Sequence, residues 1–502
     1  MGTKTDRLRE LLGEILDLDH ASAVLGWDQQ TYMPPGGAEA RAQQLSTLSR
    51  LSHDKFVCDE FGAALEAAKS EVAGQPIEQD DAALVRRTAR DFEKQRRVPS
   101  EWVSEFSLET GRAHPIWEKA RAEADFAQFK PALETIVRLK RAYAEFFRPY
   151  EHIYDPLIDD FEPGMPTRQV KEVFDILRPQ QVELVRATKE RGQPVSDAPV
   201  RQTFEVEKQR QFGVEVITKL GYDFKRGRLD KAVHPFTTSF SLDDVRITTR
   251  YDAGFFNDAL FSTVHECGHA LYEQGIASGL ERTSLATGTS MAIHESQSRM
   301  WENFVGRSRP FWVAFYPRLQ ELFPEALGSV KMADFYRAIN KVEPSLIRVD
   351  ADEATYNLHI MLRFELELEL MGGTLAVKDL PEAWNARMRD YLGITPPNDA
   401  KGVLQDVHWS FGGFGYFPTY AMGNLVAAQL WEQINKDIPD LAAQIERGEF
   451  GGLLAWLREN IHRHGARYYP MELLQRVTGQ GLTPEPYLRY LRAKFGEVYG
   501  LH

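Results

Sequence analysis

The sequence predicts a mainly α-helical protein carrying one small β-sheet, and two observations carry that prediction. Apolar residues recur at three- and four-residue spacing through long stretches of the chain, whereas β-prone sequence is concentrated in one segment, residues 233–252. Leu8, Leu11, Leu12, Ile15 and Leu16 fall on one face of a first, amphipathic helix. The same period returns in LETIVRLKRAYAEFF (133–147), FDILRPQQVELVRATKE (174–190) and YNLHIMLRFELELELM (356–371). GLTPEPYLRYLRAKF predicts a last helix with Thr483 as its cap and Pro484 at its first position. MPPGG (33–37), ERGQPVSDAP (190–199) and SRP (308–310) are the expected loops. In VHPFTTSFSLDDVRITTRYD (233–252) two β-prone stretches flank a polar break at Leu242 to Asp244, which predicts a small hairpin. No internal repeat or low-complexity linker divides the sequence, so residues 1–502 are expected to form a single domain.

Composition narrows the function. With 43% hydrophobic and 26% charged residues the chain has the balance of a globular protein with a large core. A net charge of −13 argues against nucleic acid and against anionic membranes as partners. No apolar run approaches the roughly 20 residues that span a bilayer. The opening MGTKTDRLRELLGEILDLDH lacks the apolar core of a secretory signal. Two cysteines, Cys58 and Cys267, supply no disulfide framework, and a cytoplasmic protein is expected.

The chemistry concentrates in FSTVHECGHALYEQG (261–275). Asn257 and Asp258 are the expected caps and Gly275 the expected stop of a helix containing this motif. On that helix His265 and His269 lie one turn apart on the same face, the arrangement in which two imidazoles bind one Zn²⁺ and Glu266 acts on the water beside it. Cys267 lies about 200° around the helix from His265 and should face the core. A catalytic zinc takes three protein ligands and keeps a position open. The third is expected from MAIHESQSRMWENF (291–304), a second helix in which Glu295 and the adjacent His294 both qualify.

Further motifs are spread along the chain: WDQQTYMPPGG (27–37), YDPLIDDFEPG (154–164), HPF (234–236), DVRIT (244–248), HESQS (294–298), IRVDAD (347–352) and GVLQDVHW (402–409). On these residues the chain resembles the carboxypeptidase Taq family of metallocarboxypeptidases. The resemblance implies an elongated helical body with a deep groove, similar to neurolysin and angiotensin-converting enzyme. It also implies a homodimer acting with broad specificity on peptides that have a free C-terminus. His265, His269 and Glu295 are then the zinc ligands, with Co²⁺ a possible substitute, and Glu266 the general base. From QDVHWSFGGFGYFPTYAMGN (405–424), His408 and Tyr420 would donate to the tetrahedral intermediate, with Tyr416 nearby. Arg348 and then Arg246 are the candidates to hold the substrate carboxylate, and His234 is placed near the groove. A zinc oligopeptidase or endopeptidase of the same fold is the alternative, and it would also cut peptides with blocked ends. Several related HExxH peptidases carry an Asp four residues after the ligand glutamate, where this chain has Arg299; the partners of the zinc histidines are therefore left unassigned.

Overall fold

The computed structural model describes residues 3–501 and is helical almost throughout. The first helix, Lys4–Thr31, opens with a reciprocal cap between Thr3 and Asp6. Its Leu8, Leu12 and Ile15 are buried against Phe56, Phe61, Leu65, Leu84 and Phe92. The stretches at 133–147 and 174–190 fall largely or wholly within the helices Phe126–Glu145 and Thr167–Glu190. The stretch at 356–371 lies in Glu353–Gly372, where the Asp352 side chain accepts from the amides of Ala354 and Thr355. That helix is buried nearly all round, which accounts for its apolar residues exceeding one face.

Three boundaries differ from expectation. The last helix is Glu485–Tyr499 with Pro484 at its cap, because the Thr483 hydroxyl engages the Glu485 side chain instead of a backbone amide. SRP begins a helix: Ser308 accepts from the Phe311 amide and caps Arg309–Leu322. MPPGG contains a short 3-10 turn, Pro35–Gly37.

The sheet has three strands, β1 (Leu229–Lys231), β2 (Thr237–Ser241) and β3 (Asp244–Thr249), in the order β1-β3-β2. The expected hairpin is β2–β3, antiparallel with Thr237 opposite Ile247 and an irregularity between Ser239 and Ser241. Beside it β1 pairs parallel to β3, Leu229 opposite Ile247. Val245 and Ile247 of the central strand are fully buried.

By packing, the chain divides into two compact units. The first comprises Met1–Arg96, Asp197–Ile339 and Leu430–Thr478, and it contains the sheet and the HECGH segment. The second comprises Arg97–Ser196, Asn340–Gln429 and Gly479–His502. Each has its own aromatic core. Phe204, Phe212, Phe256 and Trp312 interlock in the first, and Phe364 meets Tyr154 and Phe174 edge-on in the second. Among the described residues no helix is long and apolar enough to cross a membrane.

Candidate metal centre

HECGH lies on the helix Phe256–Gly275, as its spacing requires. The helix starts one residue before the expected caps. Phe255 precedes it without a side-chain cap, and Asp258 receives the Arg250 guanidinium at 2.8 and 2.9 Å. A carboxylate in the first turn still favours the helix dipole. Gly275 is the last helical residue and is small for a packing reason: a Cβ there would sit 2.6 Å from the Cβ of His462.

His265 and His269 share a face, with ring centroids 4.9 Å apart. Glu295 comes from the helix Met291–Arg299, which Ser290 caps by accepting from the Ile293 amide. Its Oε2 lies 3.5 Å from His265 Nε2 and 3.4 Å from His269 Nε2. Donors about 2.0–2.1 Å from a tetrahedral ion stand about 3.4 Å from each other, so both distances from Glu295 have the spacing of zinc ligands, and all three donors lie within 4.8 Å of one another. Gly268 makes this approach possible. A Cβ at that position would lie 2.6 Å from Ser298 Cα and 2.8 Å from the Gln297 carbonyl oxygen, so the two helices meet backbone to backbone.

The histidines have identifiable supports. His265 Nδ1 is 2.9 Å from Glu302 Oε2. An ionised carboxylate only accepts, so Nδ1 carries the proton and Nε2 offers its lone pair. Glu302 stands in a π-helical stretch, Met300–Gly306, and is held by Arg299 at 3.2 Å and Arg307 at 3.4 Å. Burial opposes its ionisation, but Arg299 and His265 outweigh that and bring it down to about 2. The second chain of contacts runs from His269 Nδ1 to His294 Nδ1 at 2.7 Å and from His294 Nε2 to Glu273 Oε1 at 2.7 Å. Glu273 accepts, so His294 is protonated on Nε2 and accepts on Nδ1. His269 therefore donates from Nδ1 and keeps Nε2 free. Burial pushes His269 down to about 3, with Glu295 opposing, which leaves the neutral imidazole a metal needs. For Glu295, burial is outweighed by Arg299 and His265, and its carboxyl is held well below the usual range.

Glu266 adjoins this group. Its Oε2 accepts from the Thr237 hydroxyl at 2.6 Å, so β2 fixes its orientation. Burial raises its carboxyl above the usual range, with His265 and Thr237 opposing. Cys267 is fully buried, as its position on the helix predicts.

The second unit carries another cluster. Asp406 Oδ1 accepts from Arg348 Nε and Nη2 at 3.0 and 2.9 Å, and Oδ2 accepts from Arg363 Nε at 2.8 Å. Gln405 Oε1 accepts from the Arg348 amide and from Arg363 Nη2, both at 2.8 Å. Arg348 Nη1 donates to the Tyr356 hydroxyl at 3.0 Å, and its guanidinium lies 5.0 Å from the Tyr420 ring centre. His408 Nε2 and the Tyr420 hydroxyl are 3.5 Å apart, and the Tyr416 ring lies 5.3–5.4 Å from both rings. Burial lowers His408 to about 3 against the pull of Asp406, leaving it neutral.

Arg246 belongs to the first unit and is not part of that cluster. Asp244 takes its guanidinium at 2.8 Å on both oxygens, and the rings of Trp27 and Phe240 flank it at 4.4 and 4.8 Å. His234 is exposed between β1 and β2. The sequence reading did not assign Thr237, Gly268, Glu273, Glu302 or Asp406. Asp406 falls inside a motif already singled out, so its neighbourhood was visible even though its role was not.

Ligand-spaced donors with a carboxyl group held alongside are the equipment of a hydrolytic metalloenzyme, and the helical fold places this one among the helical metallopeptidases. The chain belongs to the carboxypeptidase Taq (M32) family of metallopeptidases, whose family model matches residues 7–495. Thermostable carboxypeptidase 1 of Thermus thermophilus is 42% identical over 506 residues, covering 98% of each chain. Carboxypeptidase 1 of Bacillus subtilis is 39% identical over 490 residues, covering 98% of this chain and 97% of its own. The crystal structure of the M32 carboxypeptidase from Deinococcus radiodurans is 45% identical, covers 100% of both chains and superposes with a TM-score of 0.97. A Pyrococcus furiosus carboxypeptidase structure described as apo-Mg gives 0.95 at 39% identity, covering 99% of both chains. The protein is a metallocarboxypeptidase.

Proposed function

We propose that this enzyme uses zinc to hydrolyse the C-terminal bond of peptides with a free carboxylate, tolerating many residues at the cleaved end, with Glu266 as general base. The observation that carries the reading is the approach of Glu295 to 3.5 Å from His265 and 3.4 Å from His269, beside a glutamate oriented by Thr237. Zinc bound there would lower the pKa of a water to about 7 and polarise the substrate carbonyl. Glu266 takes the proton of the attacking water and returns it to the departing nitrogen. Burial raises its carboxyl, the direction that favours holding the proton between the two transfers.

His408 and Tyr420 are the proposed donors to the oxyanion, with Tyr416 supporting them. A neutral His408 holds one ring proton to donate and adds no further charge beside the two arginines. Arg348 is the proposed receptor for the substrate carboxylate. Asp406 engages its Nε/Nη2 edge, so the carboxylate meets the Nη1/Nη2 edge, where Tyr356 now accepts. Arg348 and Arg363 share Asp406 as carboxylate partner, so this buried cluster carries an excess positive charge that a substrate carboxylate would balance. With its own carboxylate close by, Arg246 is a weaker receptor, and His234 is assigned only to the approach of substrate.

The family match runs through segments of both units, which supports reading residues 1–502 as one peptidase domain. A cytoplasmic homodimer completes the proposal. Both cysteines are free thiols, as a reducing compartment keeps them, and sedimentation of the purified protein would give its mass in solution.

The test is a mass-spectrometric time course on one peptide with either a free or an amidated C-terminus. A ladder shortening from the C-terminal end of the free form alone is expected. Internal fragments from both forms would make the enzyme an endopeptidase. Glu266→Gln should bind zinc as the parent enzyme does and lose turnover.

A further inference from the structure

YDPLIDDFEPG and the glycine-rich run between Trp409 and Tyr416 have no part in the mechanism above, yet they meet at one side chain. Glu367, on the helix Glu353–Gly372, is fully buried and accepts three hydrogen bonds. Tyr154 donates its hydroxyl at 2.5 Å, Trp409 its indole N–H at 2.8 Å, and Gly415 its backbone amide at 3.0 Å. Trp409 directly follows His408, and Gly415 directly precedes Tyr416. One carboxylate thus ties down both ends of the loop between His408 and Tyr416.

The loop is shaped to reach it. Gly413 donates its amide to the His408 carbonyl at 2.8 Å, folding the chain back after a short 3-10 turn, His408–Phe411. Gly415 has φ 93°, and a Cβ there would stand 2.2 Å from the Leu157 carbonyl oxygen, so only glycine lets the loop lie against the YDPLIDD segment. Phe161 of the same segment packs edge-on against Tyr416 at 5.0 Å. Burial pushes the Glu367 carboxyl up to about 7, with Tyr154, Gly415 and Trp409 opposing, and apolar packing would hold the loop without burying an ionisable group. What the three donors gain in return is a fixed direction for the residues on either side of them.

We propose that Glu367 is a positioning residue, which together with Tyr154 aims His408 and the Tyr416–Tyr420 pair by fixing Trp409 and Gly415 to the helix beneath. This rests on the reading of His408 and Tyr420 as donors.

The test uses the full-length zinc-loaded enzyme and a short N-blocked peptide with a free C-terminus. The variants are Glu367→Gln, Tyr154→Phe, Tyr420→Phe, His408→Ala and the double variants of each of the first two with each of the last two. Glu367→Gln is expected to lower kcat by about 10–100-fold with KM and zinc content nearly unchanged, because the amide NH₂ opposes one of the three donors. Its effect should shrink in the Tyr420→Phe background and likewise in the His408→Ala background, each read in the corresponding double variant, since a positioning residue acts through the groups it positions. Independent, multiplicative losses would overturn the positioning role while leaving the donor reading intact. Wild-type kcat in both Tyr420→Phe and His408→Ala would overturn the donor reading, and this inference with it. Should Glu367→Gln fail to fold, Tyr154→Phe removes a single hydroxyl donor and reports the same coupling. A melting temperature that falls in parallel with kcat at fixed temperature would assign Glu367 to stability alone.

Discussion

On the proposed ligand set, replacing His294 should loosen the metal although His294 lies outside that set. In the intact site its Nδ1 accepts the proton of His269 Nδ1 at 2.7 Å, which keeps the other nitrogen of His269 free for the ion. His294→Leu removes that acceptor and fills the space with carbon, leaving the His269 N–H buried and unmet. An unsatisfied buried donor costs about 1–3 kcal/mol, and each 1.4 kcal/mol is about tenfold in affinity. Zinc affinity should therefore fall by about 10–100-fold, the range typical of groups that orient metal-bound histidines. His294→Ala should cost less, because a water entering the vacated space can accept the same proton. Glu273→Gln should cost least, since an amide oxygen still accepts from His294 Nε2–H. The assay is competition of each apo-variant against a chromophoric chelator at fixed pH, with Glu266→Gln as the control expected to match wild type. Affinity of His294→Leu within twofold of wild type would refute the reasoning, as would a larger loss in Ala than in Leu.

Three other outcomes are expected. Gly268→Ala gains up to about 1 kcal/mol of helix propensity but forces a methyl against the Ser298 backbone, an overpacking worth about 1–3 kcal/mol; zinc affinity should drop more than the melting temperature, and unchanged affinity would show that the two helices separate without moving Glu295. Arg348→Ala should raise KM for free C-termini by about 10–100-fold through loss of a charge-assisted pair, and unaltered kinetics on a short peptide would remove it from that role. His462 is fully buried, with Nε2 2.9 Å from Gln297 Oε1, and burial lowers it to about 3 from an ordinary 6.5. The unfolded chain thus binds the extra proton first. The stabilisation from a neutral His462 is complete above pH 6.5 and is lost as pH falls toward 3, at about 1.4 kcal/mol per unit. Between pH 6.5 and 5, chemical denaturation should show wild type losing about 2 kcal/mol more than His462→Gln; parallel pH profiles would count against it.

The helical class, the hairpin and the shared face of His265 and His269 are legible because each follows from a short-range pattern. Four residues bring His265 and His269 onto one face, and the β-prone stretches on either side of Leu242 to Asp244 mark β2 and β3. What escapes the sequence lacks such a pattern. β1 is three residues long, LDK, and owes its place to pairing with β3 and to neighbouring hydrogen bonds, not to its own pattern. The support for His265, left unassigned from the sequence, is Glu302, seven residues after Glu295 in a stretch whose π-helical turns depart from the i, i+4 template. Gly268 reads as a helix-weakening residue until the partner backbone at Ser298 is seen. Asn257 and Asp258 looked like caps because capping residues are interchangeable with any short polar pair at a helix start. Only Arg250 shows where Asp258 is engaged.

Each unit is assembled from three separate stretches, so the chain changes unit at 96/97, 196/197, 339/340, 429/430 and 478/479. During synthesis the first unit lacks its final part until residue 478 has emerged, and the second until the stretch Gly479–His502 has followed. Translation at about 5–20 residues per second therefore leaves exposed, half-built cores for tens of seconds. Any contiguous stretch that contains all of the first unit runs to residue 478 and carries incomplete parts of the second with it, so no short fragment isolates either unit.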